Sequence, residues 1–316
     1  MAQNGAPADV AACPAKGELI GFSSPLPDPN FQLFYSVLAA DAKRAGLTTF
    51  MTSANLDPAK QNADIATLLA KGARAIIIAP VDPNAIQPAV KRAAAKGVPV
   101  IVTDTKIGGP YATNLQTRAR EGAAQAADYL KQKVGTRPVA AILGPTFAEA
   151  VRVRNEGFLA EAKKDGLTIV DTKTNTPITP DEARRITTDW RARYGSTLAG
   201  IFTFNDTSAI GASSVPGGSF RPLIVSMNAQ PDAVALVQQR RITATYDLHP
   251  FTLGHGFAWA ADQARCGKKL PATLNIDASV VDSATVGSWV PWTEQRQKRA
   301  TIVLTTRGSD TFIDAR

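Results

Sequence analysis

Short runs of β-branched residues alternate with helical stretches along almost the whole chain, and this alternation constrains the fold more than any other feature. The runs AIIIA at 75–79 and VPVIV at 98–102 contain no polar residue, which is typical of strands buried on both faces. Apolar residues at helical spacing fill the stretch 84–95 between them. This β-α-β rhythm predicts a parallel, doubly wound α/β sheet with right-handed crossovers.

The rhythm occurs twice in succession. A second series of elements begins with a predicted helix at 121–133 and reaches a predicted strand at 243–246. At 316 residues, the chain is also longer than a domain with a single hydrophobic core usually is. We therefore expect two Rossmann-like lobes.

Composition and charge argue against several classes of function. Hydrophobic residues make up 44% of the chain and charged residues 20%, as in ordinary globular proteins. No apolar run approaches the roughly 18–20 residues that cross a bilayer. The net charge is +8, but the basic residues are dispersed among acidic ones, and the densest basic cluster is Arg296, Lys298 and Arg299. Dispersed charge indicates solvated helix faces, so no nucleic-acid partner is expected.

The sequence contains no catalytic motif that we recognise. A G-x-S-x-G elbow, a P-loop and a G-x-G-x-x-G turn after a strand are all absent from it. His249 and His255 are six residues apart, with Asp247 nearby, and this spacing does not suggest a metal site. We expect no catalytic residue, no metal and no cofactor, and a structural role for both histidines near a hinge.

Short polar side chains or a phenylalanine follow nearly every predicted strand. Ligands of open α/β sheets bind beyond the carboxyl ends of the strands. Carboxylates and amides bridge vicinal hydroxyl groups, and an aromatic ring covers the apolar face of a sugar. The pattern therefore predicts a site for a hydroxyl-rich solute. The candidates are Asp28, Asn30, Phe31, Asp104, Gln116, Thr117, Phe147, Asn205 and Asn228.

Each candidate also has a simpler interpretation. Asn30 is equally compatible with being only the N-cap of its helix, and Asp206 is expected to be an N-cap instead of a contact. Phe147 is as compatible with core packing as with a ligand site. The positions of Trp289 and Trp292, in a loop-like segment, fit capping of a lobe, the rim of a cleft or contact with a partner.

Several motifs together resemble a known family. They are DPNF at 28–31, GARAIII at 72–78 leading to Pro80, GVPVIVTD at 97–104, RNEGF at 154–158 and IFTFND at 201–206. From about Gly17 to Val281 the chain resembles the type I periplasmic solute-binding proteins of the ribose- and galactose-binding kind.

The resemblance implies two lobes joined by a three-segment hinge, with the solute in the cleft between them. It places the crossings near Thr117, Leu248 and Ala278. An N-terminal segment then covers 1–15, lobe one covers 16–117 and 249–278, and lobe two covers 118–248 and 279–316. The implied solute contacts are Asp28, Phe31, Asp104, Arg154, Asn205 and Asn228. Among these, the guanidinium of Arg154 would donate two hydrogen bonds to solute oxygens.

The resemblance also implies a function and a location. It indicates the solute-binding component of an ABC importer, acting with a membrane permease, monomeric and periplasmic, with its signal peptide missing from this chain. A ligand-sensing partner of a chemoreceptor or sensor kinase, including one for a quorum-signal furanoside, is the alternative. A repressor of the lac type is not expected, because only about 16 residues precede the first strand.

The chain departs from the ribose-binding pattern at several positions. Thr105 replaces an arginine, Asn228 an aspartate and Leu248 a glutamine, while Arg118 and Ala119 replace an Asp-Asn pair. Because a carboxylate, a guanidinium and an amide of the ribose-binding pattern have all been replaced, ribose itself is not expected. A furanoside signal, another pentose, a hexose or a polyol is left open.

Cys13 falls in the N-terminal segment, just before lobe one begins, and Cys266 falls in the expected lobe one. We predict a disulfide between them, which suits an oxidising compartment, with two buried thiols as the alternative. The segment before Cys13 resembles a lipobox but is too polar for the apolar region of a signal peptide.

Overall fold

The computed structural model describes residues 5–27, 29–146, 149–215, 217–295 and 298–316. Its strands are β1 Ala6–Pro7, β2 Leu19–Ser24, β3 Thr48–Ser53, β4 Ala73–Ile78, β5 Val100–Thr103, β6 Thr113–Thr117, β7 Val139–Leu143, β8 Ile169–Thr174, β9 Gly200–Thr203, β10 Leu223–Met227, β11 Ala244–Asp247, β12 Thr273–Ile276, β13 Ser279–Asp282, β14 Thr301–Arg307 and β15 Asp310–Ala315. Its α-helices are α1 Pro29–Arg44, α2 Pro58–Ala70, α3 Gln87–Ala95, α4 Ala119–Val134, α5 Glu149–Lys164, α6 Pro180–Tyr194, α7 Asp206–Ser213, α8 Pro231–Gln238, α9 Pro250–Arg265 and α10 Trp292–Gln295.

These elements form two compact units. Unit 1 comprises the residues up to Thr117 together with His249–Ile276 and Thr293–Arg316, and unit 2 comprises Arg118–Leu248 and Asp277–Trp292. The sequence-based assignment of the tail 279–316 to the second lobe is wrong for 293–316. These residues lie in unit 1 because β14 and β15 form a hairpin whose strand β15 pairs with β12, and the tail thereby extends the sheet of that unit.

Unit 1 is built on a nine-stranded sheet in the order β1-β14-β15-β12-β6-β5-β4-β2-β3. Strands β2 to β6 and β12 are parallel. The run AIII of β4 explains how the helices cover both faces. Ala75 and Ile77 pack into a cluster with α1 and α9, whereas Ile76 and Ile78 pack into a cluster with α2 and α3. All four residues are fully buried, so the predicted two-sided burial of this strand is confirmed.

Unit 2 contains a six-stranded sheet in the order β13-β11-β10-β9-β7-β8. Helices α4 and α5 cover one face and α6, α7 and α8 cover the other. Gly157 allows α5 to approach α4 closely, since a Cβ atom at this position would overlap the carbonyl oxygen of Arg120. One residue further on, Phe158 stacks on Phe202 of β9 with ring centroids 3.8 Å apart. The predicted α/β fold with two doubly wound lobes is therefore confirmed.

Strand β6 begins and ends two residues later than the sequence predicts. From its sequence, YATNL, the segment 111–115 is predicted to be a strand that Gln116 and Thr117 follow. Both residues instead lie within β6, because they pair with Asn275 and Ile276 of β12. The partner strand is more than 150 positions away in the sequence, so local periodicity could not reveal this extension.

The predicted disulfide between Cys13 and Cys266 is confirmed, with Cα atoms 5.9 Å apart. Arg265 reinforces the same junction. Its guanidinium donates to the carbonyl oxygen of Cys13 at 3.0 Å and to the carboxylate of Asp262 at 2.6 Å. The N-terminal segment is thus tied to the end of α9 by one covalent bond and a set of charge-assisted hydrogen bonds.

The two histidines lie in unit 1. His255 is buried in α9, and its Nδ1 atom lies 2.6 Å from a carboxylate oxygen of Asp41 in α1. His249 immediately precedes α9 in a left-handed conformation, with φ of 52°.

Within the described residues, no helix is both long enough and apolar enough to span a bilayer.

An acidic trio lies on the partly exposed surface of α4 and α5 in unit 2. It consists of Asp128, Glu161 and Asp165, and one carboxylate oxygen of each lies within 4.8 Å of one oxygen of each of the others. Partial burial, a hydrogen bond with Asp165 and the charges of both neighbours raise the pKa of Asp128 to about 6. At neutral pH the trio therefore carries unfavourable like-charge repulsion.

Removal of the disulfide should lower the free energy of unfolding by about 3–5 kcal/mol, because the closed loop that restrains the unfolded chain is very long. We expect the Cys13→Ser/Cys266→Ser double variant to unfold at lower denaturant concentration than the parent protein. Reductant should destabilise the parent to the same extent and leave the double variant unchanged. Two alkylatable thiols in the non-reduced parent would contradict the disulfide.

Asp128→Asn should stabilise the protein at pH 8 and have no effect at pH 4. The Asp128 carboxyl binds its proton more tightly in the folded state than in the unfolded chain, where its pKa is 3.8. The resulting contribution to stability is present below about pH 4 and is lost as the pH rises through about 6. Because the group is largely solvated, screening limits the gain to about 1 kcal/mol.

Thermal unfolding of Asp128→Asn, measured from pH 4 to 8, tests this trend. Asp310→Asn, which removes an exposed acid of β15, is the matched control and should follow the parent at every pH. An Asp128→Asn curve parallel to that of the parent would show that the trio does not affect stability.

Candidate functional site

Asp104 of unit 1 is anchored at the carboxyl ends of β5 and β6. It follows β5 directly in a left-handed conformation, with φ of 55°. Its Oδ1 atom accepts hydrogen bonds from the backbone N–H and the hydroxyl of Thr117, both at 2.7 Å. The structure therefore brings two predicted site residues together, and Thr117 orients the carboxylate. Gln116 precedes it in the strand and is half-buried.

Asn30 and Phe31 lie in the first turn of α1, after the carboxyl end of β2. Asn30 is inside the helix, so the alternative in which it is only the N-cap is wrong. The ring of Phe31 is half-buried and packs edge-on against Phe34, with centroids 5.7 Å apart. Asp28, the preceding candidate, lies outside the described residues.

In unit 2, a chain of hydrogen bonds determines how Asn205 is oriented. Asn205 is the N-cap of α7, and its Oδ1 accepts from the backbone N–H of Ser208 at 3.0 Å and from the Ser208 hydroxyl at 2.8 Å. The Ser208 hydroxyl in turn accepts from Nδ2 of Asn175, which also donates to the carbonyl of Thr179. A backbone N–H can only donate, so the amide oxygen of Asn205 faces α7. Its NH2 group is then the part that can donate to a solute.

The cap of α7 is one residue earlier than expected. The sequence suggested Asp206 as the cap, but Asn205 fills this role and Asp206 is the first helical residue. The Asp206 carboxylate is fully buried. It accepts hydrogen bonds from the hydroxyls of Ser226 and Thr245 and from the backbone N–H of Gln230.

The motif RNEGF at 154–158 places Arg154 at the carboxyl end of β9. Its guanidinium donates to the carbonyl oxygen of Phe204 at 3.3 Å, immediately before Asn205. Asn155, the next residue, is buried, and its amide bonds both the N–H and the carbonyl of Gly144 after β7. One turn of α5 thus supports two strand ends of unit 2. Phe147, the further aromatic candidate after β7, lies outside the described residues.

Asn228 follows β10 with an unusual backbone conformation. Its φ is 116° and that of Ala229 is 50°, both uncommon for residues other than glycine. The N–H of Asn228 donates to the carbonyl oxygen of Tyr246, and the N–H of Ala229 donates to the hydroxyl of Thr245. The neighbouring strand β11 therefore holds this turn in place.

Sequence reasoning missed the polar residues that support these strand ends from below. Gln61 of α2 is fully buried, and its amide group bonds the carbonyl of Ala79 and the N–H of Val81, just beyond β4. Asn175 has the same role after β8. The available signal was a polar residue on the buried face of a helix, since Gln61 is four positions before the core residue Ile65.

Two of the residues at the sequence departures, Arg118 and Leu248, take structural roles within unit 2. Arg118 forms ion pairs with Asp277 at 3.3 Å and with Glu121 at 3.1 Å. Leu248 is buried in the apolar cluster of α4 and α5. Trp289 is partly buried and packs against the cluster of Ala229, Val234 and Val281 in the same unit.

The acidic trio on α4 and α5 is the one group of three described side chains close enough to hold a metal ion. It does not lie at the carboxyl ends of the strands. The residues that do lie there offer carboxylate oxygens, amide groups, a guanidinium and an aromatic ring. Such a set is suited to hydroxyl groups, and each unit presents part of it.

The chain matches the family model of the periplasmic binding protein domain over residues 20–269. It is 30% identical over 263 residues to the ribose import binding protein of Bacillus subtilis (strain 168), covering 81% of this chain and 84% of the relative.

Two solved structures are similar along most of the chain. The periplasmic binding protein component of the arabinose ABC transporter from Shewanella sp. ANA-3 is 25% identical, with a TM-score of 0.75, covering 88% of this chain and 96% of that one. An ABC transporter periplasmic solute-binding protein from Actinobacillus succinogenes, with bound D-allose, is 21% identical. Its TM-score is 0.77, and the match covers 86% of this chain and all of the other. The second likeness supports the fold.

Proposed function

Because this chain belongs to the family of the periplasmic binding protein domain, we propose that it is the solute-binding component of an ABC importer for a small sugar or polyol. The observation that carries this proposal is the 30% identity to a ribose import binding protein, sustained over 263 residues. Polar side chains at the strand ends of both units supply the chemistry that such a solute requires.

We infer that each unit contributes residues that bind the solute. In unit 1, Asp104 offers carboxylate oxygens and Phe31 an aromatic ring, together with Asn30 and the preceding Asp28. In unit 2, the solute ligands are Arg154, Asn205 and Asn228. Arg154 carries only donors, and the hydrogen bonds of Asn205 direct its NH2 group outward, so unit 2 contributes donors where Asp104 contributes acceptors. A hydroxyl group donates and accepts at once, which suits this division. Gln116, Thr117 and Phe147 are proposed as supporting residues.

The departures from the ribose-binding pattern narrow the choice of solute. The Arg118 charge is engaged by Asp277 and Glu121, and Leu248 is an apolar core residue that replaces an amide. Two polar contacts of the ribose pattern are thereby lost. We propose a pentose other than ribose, a hexose or a polyol.

The proposal includes a location and a mode of action. The protein acts in the periplasm as a monomer and delivers its solute to a membrane permease, without chemical turnover and without binding nucleic acid. The relatives reported above are named for import or transport, and we therefore propose transport as its role. The chemistry required of the chain is recognition: donors and acceptors held in place, and release without any covalent change.

A thermal-shift screen should identify the solute. The panel comprises D-ribose, L-arabinose, D-allose, D-tagatose, xylitol, myo-inositol and galacturonic acid. A solute at one hundred times its Kd should add about 2.7 kcal/mol to the free energy of unfolding and raise Tm measurably. We expect at least one compound other than D-ribose to do so, with D-ribose weaker. No shift with any compound would contradict sugar or polyol binding, and D-ribose as the strongest ligand would contradict the interpretation of the departures.

Variants of Arg154 and Asn205 should lose affinity for the compound with the largest shift. Arg154→Ala removes a charge-assisted donor, and its loss corresponds to about 1.5–3 kcal/mol, a ten- to hundredfold rise in Kd by calorimetry. Asn205→Ser should cost about tenfold or more. Serine retains an acceptor for the N-terminus of α7 but is too short to donate as asparagine does, so helix capping and solute binding are separated.

Two controls share the local structure of these variants. Arg152→Ala removes an arginine two positions from Arg154 in α5, where it pairs with Glu149 and Glu156 on the surface. It should bind like the parent, and Arg118→Ala should lose less affinity than Arg154→Ala. If Arg154→Ala and Asn205→Ser both bind like the parent, the placement of the site is wrong even though the fold is right.

A further inference from the structure

We propose that Asp206 is a positioning residue of the solute site in unit 2 and that its buried carboxylate makes solute affinity depend on pH. This inference rests on the proposed function. Asp206 does not need to touch the solute. It acts through Asn205, its neighbour in the chain, and through Asn228.

The Asp206 carboxylate connects three neighbouring strands of the sheet, β9, β10 and β11. Asp206 is the first residue of α7, just after β9. One of its carboxylate oxygens accepts a hydrogen bond from the hydroxyl of Ser226 in β10. The same oxygen accepts from the hydroxyl of Thr245 in β11 at 2.7 Å. The other oxygen accepts from the backbone N–H of Gln230 at 2.7 Å. Asp206, Ser226 and Thr245 have no solvent exposure. The network is therefore enclosed, and every group facing the carboxylate in it is a donor.

This network holds the turn that carries Asn228. Asn228 lies between Ser226 and Gln230, and both of these residues donate to Asp206. The backbone of 228 and 229 lies at positive φ, a conformation that costs free energy and persists only where its surroundings enforce it. Thr245 contributes twice, since it donates to Asp206 and accepts from the N–H of Ala229. A change at the carboxylate is thus transmitted directly to the strained turn.

Protonation would change the hydrogen bonding of the network. The ionised carboxylate is an acceptor only, whereas the protonated form carries a donor that would face other donors. Burial raises the pKa of Asp206 to about 6, against the opposing effect of its hydrogen bonds with Ser226, Gln230 and Thr245. The carboxylate is consequently charged at pH 7.5 and mostly protonated at pH 5.

The elements packed around Asp206 provide few other charges. Strands β9 and β10 contain no ionisable side chain. Asp247, at the end of β11, adds to the increase in pKa, while the Tyr246 hydroxyl donates to the carbonyl of Gln125. Helix α5 contributes Arg154, which donates to the Phe204 carbonyl. The acids at the start of α6 pair with arginines of that helix on its exposed side, and Asp232 of α8 is exposed.

The test compares the Kd of the parent and of Asp206→Asn between pH 5 and 8, using whichever compound of the panel above gives the largest thermal shift. If the protonated form binds about tenfold more weakly than the charged form, a pKa of about 6 predicts a rise in the parent Kd of about fivefold at pH 5 relative to pH 7.5. Asp206→Asn cannot ionise, so its Kd should be about tenfold higher than that of the parent at pH 7.5. The ratio of the two values should fall towards one at pH 5. Because groups common to both proteins cancel in the ratio, it isolates Asp206.

Two further variants separate positioning from folding. Thr245→Val removes a donor that stabilises the charged carboxylate, so the midpoint of the pH profile should move to higher pH. Asp232→Asn, an exposed change in the first turn of α8, should retain the parent profile. Thr245→Val also provides the test if Asp206→Asn does not fold.

Equal affinity of Asp206→Asn and the parent at pH 7.5, or a ratio that does not vary with pH, would overturn the proposal and leave Asp206 a purely structural residue. If no compound of the panel binds the parent, the proposed function fails instead. The network is then examined without solute, by following the side-chain NH2 signals of Asn205 and Asn228 by NMR as the pH changes. A transition near pH 6 that is missing in Asp206→Asn supports the positioning role, and its absence from the parent refutes it.

Discussion

Each unit depends on the burial of a parallel sheet on both of its faces. Parallel strands joined by helical crossovers cannot leave one face in water, so their residues must be apolar on both sides. Strand β4 shows this directly. Ile77 packs on the side of α1 and α9, and Ile76 and Ile78 pack on the side of α2 and α3. Each such residue contributes about 1.5–3 kcal/mol by leaving water. Most of each strand is therefore apolar, and a polar binding site in such a unit arises at the strand ends.

A second constraint acts at those strand ends. A buried polar group that lacks a partner costs about 1–3 kcal/mol, so the residues beneath the candidate site are linked to one another. Gln61 bonds two backbone groups beyond β4, Asn155 bonds both backbone groups of Gly144, and Asn175 reaches Asn205 through Ser208. Each of these supports is an amide: Gln61 and Asn155 both donate and accept, whereas Asn175 donates two hydrogen bonds. They hold the exposed donors and acceptors in place before any solute arrives, and preorganised groups bind with less loss of entropy.

The departures from the ribose-binding pattern have a consistent physical interpretation. Arg118 is partly neutralised by Asp277 and Glu121, and Leu248 is absorbed into an apolar cluster. Two positions that carry polar groups in the ribose pattern therefore serve the stability of unit 2. Asp104, Arg154 and Asn205 retain both their identity and their places at strand ends. We propose that recognition of hydroxyl groups is retained while the preferred solute differs from ribose.

The sequence by itself determined the order and type of the main elements, the two lobes and the chemical class of the candidate site. Those properties are local: a β-branched run is apolar on both sides wherever it lies, and a polar residue after it must lie at a strand end. Only the tertiary structure decided the place of the tail, the extent of β6 and the roles of Asp206 and Asn175. Residues 301–315 join unit 1 because β15 pairs with β12, and β6 ends two residues later than predicted because its last two residues pair with β12. The buried carboxylate of Asp206 accepts hydrogen bonds from Ser226 and Thr245, which lie on strands that become neighbours only in the folded sheet. Such pairings depend on residues distant in sequence, and no local pattern encodes them.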